Sequence, residues 1–317
     1  MPNKAQPQTT GVILMTYGSA TAAENVPKYM HHIYKDKIPE GLVDDFAERY
    51  RLVGRSPLVD ITNAQAAELE KVLNPTESNT RPRYVVRAGM LHSEPFIDTA
   101  VADCRAAGVE RIVGIILSPQ FSSFIMDGYR TALHAATAKH GYRQKDLTIA
   151  GPWPTQRQFI ELLANRTTAS LTNLHAMYGP NVPVIFTTHS LPERVVAKDP
   201  DYLDQLKRTT AAVVANLKKP TPEWHAAYQS AGHTPEAWLK PDLVDVLAQL
   251  HDQHAPAVLI VPIQFLANHL EILYDLDIAG AEQCLDHGLA YNRIELPNAA
   301  PLFIEALASV VKSAKVR

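Results

Sequence analysis

The chain carries the same short pattern twice. Residues 11–18, Gly-Val-Ile-Leu-Met-Thr-Tyr-Gly, align with residues 183–190, Pro-Val-Ile-Phe-Thr-Thr-His-Ser, which sets Tyr17 opposite His189. Two further pairs of strand-like segments follow in the same order: 84–89 with 224–229, and 115–121 with 259–265, the last pair both ending in Gln-Phe. We therefore expect two similar α/β halves that face a common cleft at the carboxyl ends of their strands, where open parallel sheets bind ligands.

Length and composition are those of a soluble globular protein with two domains of ordinary size. The 317 residues are 46% hydrophobic and 20% charged, with a net charge of −3 and a pI near 6.5. The sequence shows no basic stripe for nucleic acid, no apolar run near the ~20 residues that span a bilayer, and no apolar signal-peptide segment. The two cysteines, Cys104 and Cys284, lie far apart, so we expect a reducing cytoplasm and no disulfide framework.

Short β-branched segments bounded by turn residues predict strands at about 11–17, 83–89, 111–117, 148–153, 183–189, 224–229 and 257–263. Helical periodicity predicts helices between them at 64–73, 94–107, 126–140, 157–178, 202–217, 241–251 and 301–316. This alternation predicts parallel sheets with right-handed crossovers. We expect a first domain over residues 1–117, a second over 118–299, and a C-terminal helix, 300–317, that packs back on the first. Segment 74–82 is predicted to be a surface loop.

Two strands of the second half are followed by residues suited to metal binding or acid–base chemistry. His189 ends a strongly apolar strand, and Glu271 lies just beyond a later one in Phe-Leu-Ala-Asn-His-Leu-Glu, where we expect a helix to begin. A His and a Glu at one cleft suit general-base work and a borderline divalent metal. Glu271 and Asp275 are four residues apart on one helix face, where two carboxylates repel unless a cation or a proton lies between them. The alternatives are a structural histidine and a solvated helix face.

Several motifs resemble those of the ferrochelatase family, which inserts ferrous iron into a porphyrin. They are Thr188-His-Ser-Leu-Pro-Glu193, Asn268-His-Leu-Glu-Ile-Leu-Tyr-Asp275, Ser56-Pro-Leu58, Leu91-His-Ser-Glu-Pro-Phe-Ile97 and Met15-Thr-Tyr-Gly18. The similarity runs from about residue 11 to about residue 310, and Gln229-Ser-Ala-Gly-His-Thr-Pro235 resembles the Gram-positive branch, which acts on coproporphyrin III. The resemblance implies an α/β fold of two similar Rossmann-like domains with parallel four-stranded sheets and the porphyrin cleft between them, as in chelatases.

The resemblance also implies roles for particular residues. His189 and Glu271 are then the catalytic and metal-site pair, Tyr17 is the axial residue on the product side of the macrocycle, and Asp275 is a weaker metal contact on the approach route. Seven residues correspond to porphyrin-binding positions: Tyr17, Tyr34, Lys35, Arg49, Tyr50, Ser56 and Tyr129. A free-base porphyrin must lose two pyrrole protons as the metal enters, which explains a base near one face of the ring.

Three positions depart from the pattern of the family. Tyr34-Lys35 stands where relatives often carry two arginines, Gln264 replaces a small Gly, and Ala279 replaces an acidic residue. A lysine is a point charge without the planar fork of an arginine. We therefore expect a weaker grip on substrate carboxylates than in an arginine-bearing relative.

The expected function is insertion of ferrous iron into coproporphyrin III in haem biosynthesis, with Fe²⁺ and coproporphyrin III as substrates and no cofactor needed for turnover. We expect a monomer without a nucleic-acid partner or transmembrane segment, which hands its product transiently to neighbouring haem-pathway enzymes. The sequence lacks the Gly-rich fingerprint of a dinucleotide site. Two histidine pairs, His31-His32 and His251/His254, are interpreted as exposed helix histidines. Two alternatives stay open: a chelatase for another tetrapyrrole or metal, such as cobalt or nickel in a sirohydrochlorin-like ring, and a haem or porphyrin carrier without turnover.

Overall fold

A computed structural model describes residues 9–35, 37–75, 84–232 and 235–314, which form two parallel four-stranded sheets. In spatial order the first sheet contains β2 (Tyr84–Met90), β1 (Thr10–Thr16), β3 (Arg111–Ile116) and β4 (Leu147–Ile149). The second contains β6 (Trp224–Gln229), β5 (Val184–His189), β7 (Ala257–Pro262) and β8 (Ala290–Arg293). Because both sheets have the same strand order, the repeat in the sequence is a repeat of topology. The predicted α/β fold with two similar parallel sheets is confirmed.

Helices connect and cover the strands. In chain order they are a 3₁₀ helix (Ala23–Asn25), α1 (Val26–Tyr34), α2 (Leu42–Val53), α3 (Leu58–Leu73), α4 (Ile97–Ala106), α5 (Ser123–Lys139), a 3₁₀ helix (Gln144–Asp146), α6 (Arg157–Tyr178), α7 (Glu193–Val196), α8 (Asp201–Ala215), α9 (Leu243–Asp252), a π-helix (Ile272–Gly280), α10 (Ala281–Asp286) and α11 (Pro301–Ser313). All seven predicted helices are present with shifted ends. The prediction missed α1, α2, α7, α10 and β8, because polar residues interrupt their short apolar stretches.

The hydrophobic core explains why the central strands read as unbroken apolar runs. Residues 12–15 of β1 are fully buried, since helices cover both faces of a parallel sheet. One apolar cluster runs through both halves and includes Leu14 of β1, Phe186 of β5, Phe159 of α6 and Phe303 of α11. Helix α11 packs against α3 and α6, so the C-terminal helix contacts the first half as well as the helix that leads into the second.

The first half extends further than the predicted boundary after residue 117. Strand β4 pairs with β3 in parallel, with Ile112 opposite Leu147 and Gly114 opposite Ile149, so it completes the first sheet. The chain leaves this sheet only after Ile149, and α6 then carries it to β5. Parts of three predicted segments lie outside the described residues: positions 76–83, His233 with Thr234, and 315–317.

Helices long and apolar enough to cross a membrane are not found in the described parts of the chain.

Candidate active site

A cavity of about 550 Å³ opens at the carboxyl ends of β1 and β5, with walls from both halves of the molecule. Its volume is in the range of small-molecule and cofactor sites. Among the residues predicted for the site, six line it: Tyr17, Tyr34, Tyr50, Tyr129, His189 and Glu271. Aromatic and aliphatic side chains form most of the remaining wall, including Phe124, Leu191, Phe265 and Leu270. The cleft predicted from the repeat is therefore present between the halves.

His189 is the last residue of β5, and its two ring nitrogens have different neighbours. The Nδ1 atom lies 2.5 Å from the carbonyl oxygen of Ser190, and Nε2 lies 3.5 Å from Oε2 of Glu271. A carbonyl oxygen only accepts, so Nδ1 carries the hydrogen. A ring with a single hydrogen, on Nδ1, presents the lone pair of Nε2 towards Glu271 and the cavity.

Glu271 lies immediately before the π-helix and carries a negative charge at neutral pH. Partial burial would raise the pKa of this carboxyl, but the positive charge that His189 and His269 carry when protonated outweighs burial and lowers the pKa to about 2. The Nε2 atom of His269 lies 3.9 Å from Oε2 of Glu271, and its ring packs against Phe265 at 4.8 Å between centroids. Sequence reasoning gave His269 no role, although its position two residues before Glu271 was visible. A carboxylate and an imidazole lone pair 3.5 Å apart repel until a proton or a metal ion lies between them.

Asp275 lies one turn further along the π-helix and outside the cavity lining. Its carboxylate accepts a hydrogen bond from the Ser230 hydroxyl and lies 3.6 Å from Nη1 of Arg49. Burial, and the charge of Glu271, raise the pKa of Asp275 despite these two partners. In the resting protein Asp275 is thus occupied by protein groups.

Tyr17 is the first residue after β1, and His189 is the last residue of β5. The two residues therefore line the cavity from equivalent places in the two halves. Gly18, which turns the chain away, has a φ of +91°, and a Cβ there would lie 2.5 Å from Oγ of Ser93. Only a glycine fits this turn without strain. Partial burial, then the charges of Tyr34 and Glu271, raise the pKa of Tyr17 to about 12, so its phenol is neutral at pH 7.

His92 packs beside Tyr17, with 4.4 Å between ring centroids. Its Nδ1 lies 3.2 Å from Nδ1 of His32, whose own ring stacks on Phe96 at 5.1 Å. Burial, then the charge of His32, lower the pKa of His92 to about 4. The interpretation of His32 as an exposed helix histidine was therefore incomplete: the side chain is exposed, but it reaches a histidine from a distant segment that supports the Tyr17 ring.

Arg49 does not point its guanidinium into the cavity. Its Nη2 lies 2.9 Å from Asp45, its Nη1 lies 3.6 Å from Asp275, and its charge sits over the ring of Tyr274 at 4.9 Å. The Nε atom is buried without a hydrogen-bond partner. A substrate carboxylate could reach this guanidinium only by competing with two protein carboxylates.

The other residues predicted to contact the porphyrin differ in their burial and in whether protein groups already bond to them. Tyr50 and Ser56 are each 1% exposed and bond through Ser19, whose hydroxyl lies 2.7 Å from the Tyr50 hydroxyl and 2.8 Å from Oγ of Ser56. Tyr129 is buried and lines the cavity, and burial raises the pKa of its phenol. Tyr34 lines the rim, whereas Lys35 is exposed at the end of α1 and outside the lining.

Within the described residues there is no group of three or more His, Cys, Asp or Glu side chains arranged to hold a metal ion. The His189–Glu271 pair alone offers two donors.

The two paired halves form a chelatase-like fold. A solved structure described as SirB from Bacillus subtilis with Fe³⁺ superposes with a TM-score of 0.57 and 15% identity, over 97% of this chain and 96% of that one. At this level of identity the likeness concerns the fold.

The family follows from the sequence comparisons. Residues 9–315 match the model of the family described as Ferrochelatase, and the chain belongs to this family. It is 35% identical to a protein of Geobacillus thermodenitrificans named coproporphyrin III ferrochelatase, over 96% of this chain and 95% of the relative. It is 34% identical to a protein of Herpetosiphon aurantiacus named ferrochelatase, over 95% of this chain and 98% of the relative.

Proposed function

We propose that this protein inserts Fe²⁺ into coproporphyrin III and forms iron-coproporphyrin III in haem biosynthesis. The observation that carries the proposal is the His189–Glu271 pair, with its facing nitrogen and oxygen 3.5 Å apart, in a cavity that Tyr17 lines from the other half. The relative named coproporphyrin III ferrochelatase, which aligns over 95% of its own length, supports the choice of porphyrin.

His189 acts as the base in this reaction. Its Nε2 lone pair accepts a pyrrole proton from the porphyrin, and the ionised Glu271 stabilises the imidazolium that results. The same carboxylate replaces water on the incoming Fe²⁺. Two protons leave the porphyrin for each ferrous ion that enters. His189 accepts them in turn and releases each to solvent, so the charges balance and iron keeps its oxidation state.

Tyr17 faces the metal from the opposite side of the macrocycle. Because its phenol is neutral at pH 7, it offers an oxygen lone pair without adding a second negative charge near Glu271. Asp275 acts outside this inner set, since Ser230 and Arg49 already occupy its carboxylate.

The four propionates of coproporphyrin find donors around the rim. Arg49 exchanges Asp275 for a substrate carboxylate, while Tyr34 and Tyr129 supply hydroxyls and Lys35 supplies a mobile charge. Ser56 contributes by holding the Ser19–Tyr50 network in place.

The protein needs no cofactor beyond its substrates, works as a monomer in the cytoplasm, and passes its product transiently to neighbouring haem-pathway enzymes. Its two described cysteines, Cys104 and Cys284, are buried free thiols, which suits a reducing compartment.

Anaerobic assays with purified protein test the proposal. Fe²⁺ is offered with coproporphyrin III or with protoporphyrin IX, and the absorbance change on metal insertion is followed; Co²⁺ with sirohydrochlorin serves as a third arm. Faster insertion into coproporphyrin III supports the proposal. Faster turnover in either other arm overturns it, and binding without turnover identifies a carrier.

A further inference from the structure

The backbone of His189, at the end of β5, lies beyond the last residue of β7 that pairs with this strand. The register of β5 and β7 ends with Thr187 opposite Pro262, and the N–H of Ile263 then donates to the carbonyl of Thr187 at 3.0 Å. In a parallel ladder the next bond would join the N–H of His189 to the carbonyl of Ile263. That carbonyl lies instead 3.3 Å from Nε2 of Gln120, a residue of the first half.

The side chain of Gln264 supplies the hydrogen-bond acceptor that the strand ladder lacks at this point. The N–H of His189 donates to Oε1 of Gln264 at 3.0 Å, and Nε2 of Gln264 donates to the hydroxyl of Tyr202 at 2.8 Å. Gln264 is 7% exposed and Tyr202, on α8, is fully buried. Both ends of the Gln264 amide are therefore used, and α8 fixes the amide in place.

On the opposite edge of β5, the N–H of Ser190 donates to the carbonyl of Gln229 at 2.8 Å. The two bonds fix the peptide groups on either side of the His189 Cα. The carbonyl of Ser190, in the next peptide along the chain, accepts from Nδ1 of His189. The position of the Ser190 carbonyl relative to the fixed His189 backbone decides whether Nδ1 keeps its hydrogen, and hence whether Nε2 presents a lone pair to the porphyrin.

We propose that Gln264, held by Tyr202, is a positioning residue that keeps the His189 imidazole in the orientation and tautomer needed for proton transfer. Gln264 acts through His189 and does not exchange protons itself. A displacement of about 1 Å in a reacting group can lower a rate by about 100-fold. This inference rests on the proposed function.

Two substitutions test it, with one matched control. Gln264→Met keeps length and bulk but removes both hydrogen bonds, and Tyr202→Phe removes only the hydroxyl. Gln120→Met is the control. Gln120 is also buried and also precedes a Phe, but its side chain bonds to Thr209 and Ile263 and not to His189. Each variant is compared with wild type for thermal stability, kcat and KM of iron insertion, and the ¹⁵N chemical shifts of histidine-labelled protein.

The expected result is a fall in kcat of about 10-fold to 100-fold for Gln264→Met, with the KM for porphyrin unchanged, and a smaller fall for Tyr202→Phe. The double variant should be no slower than Gln264→Met alone, since the two side chains act in series. In wild type the ¹⁵N shifts of His189 should indicate a single tautomer, and in Gln264→Met they should indicate a mixture of the two. Gln120→Met should lose thermal stability but keep the wild-type kcat and the wild-type His189 tautomer.

An unchanged kcat and an unchanged His189 signal in Gln264→Met would overturn the inference, as would an equal loss of kcat in Gln120→Met. If Gln264→Met does not fold, Tyr202→Phe decides by the same two readouts. The ¹⁵N measurement is made on protein without substrate, so it tests the positioning of His189 even if wild type inserts no iron. Absence of iron insertion by wild type would refute the proposed function and not this inference.

Discussion

The Nε2 atom of His189 and the Oε2 atom of Glu271 face each other at 3.5 Å in the cavity between the two halves. The distance is slightly long for a direct hydrogen bond and short for two groups that both carry lone pairs. A proton or a metal ion between them removes the repulsion. In the proposed function, His189 is the base and Glu271 is the carboxylate that supports it.

His189→Ala should abolish iron insertion while coproporphyrin still binds. Loss of a positioned base typically lowers a rate by ~10² to 10⁴. Turnover and porphyrin fluorescence titrations check this, and His225→Ala is the matched control because His225 pairs with Glu223 at the amino end of β6. Turnover within about twofold of wild type would remove His189 from the mechanism.

Glu271→Gln should lose more activity than Asp275→Asn. Glu271 lines the cavity and is ionised, whereas Asp275 is held by Ser230 and Arg49 outside it. Rates measured over a range of Fe²⁺ concentrations compare the two. A larger loss in Asp275→Asn would move the metal-binding assignment along the π-helix.

Tyr17→Phe should alter the absorption spectrum of bound iron-coproporphyrin more than the rate of insertion. Tyr17 lines the cavity from the half opposite His189, so its oxygen is available to the metal in the product. The ferric Soret and charge-transfer bands provide the measurement. Identical spectra in variant and wild type would argue against ligation by Tyr17.

The stability that His92 contributes should depend on pH between 6.5 and about 4. Burial, then the charge of His32, lower its pKa from 6.5 to about 4, so the folded state binds this proton more weakly than the unfolded chain. The contribution is present above pH 6.5 and is lost as the pH falls towards 4. Unfolding free energies of wild type and His92→Gln should converge over this range. A constant difference would show that the ring titrates normally.

Lys35→Arg should increase the binding affinity for coproporphyrin III more than that for protoporphyrin IX. Lys35 is exposed beside the rim, and an arginine there can hold a propionate through two hydrogen bonds. The gain should shrink at high salt, because exposed charges are screened. Titrations of both porphyrins at low and high salt measure it. Equal or tighter binding of protoporphyrin by wild type would contradict the proposed substrate.

Most of the fold could be predicted from the sequence, because buried parallel strands produce short apolar runs in any context. Strand β8 could not, since its four residues are all half-buried and follow no alternation. The boundary at residue 117 was misplaced because β4 is only three residues long, and its place in the first sheet depends on pairing with β3.

The candidate site divides in the same way. The sequence by itself determined the repeat, the cleft, and the residue types at the ends of β1 and β5, because strand order and local motif suffice for those. Only the tertiary structure decided that Asp275 faces Arg49, that His32 contacts His92, and that the Gln264 side chain accepts a hydrogen bond from the N–H of His189. These contacts join segments far apart in the chain, and side-chain geometry over a few ångströms, which no local pattern encodes, determines which partner each group finds.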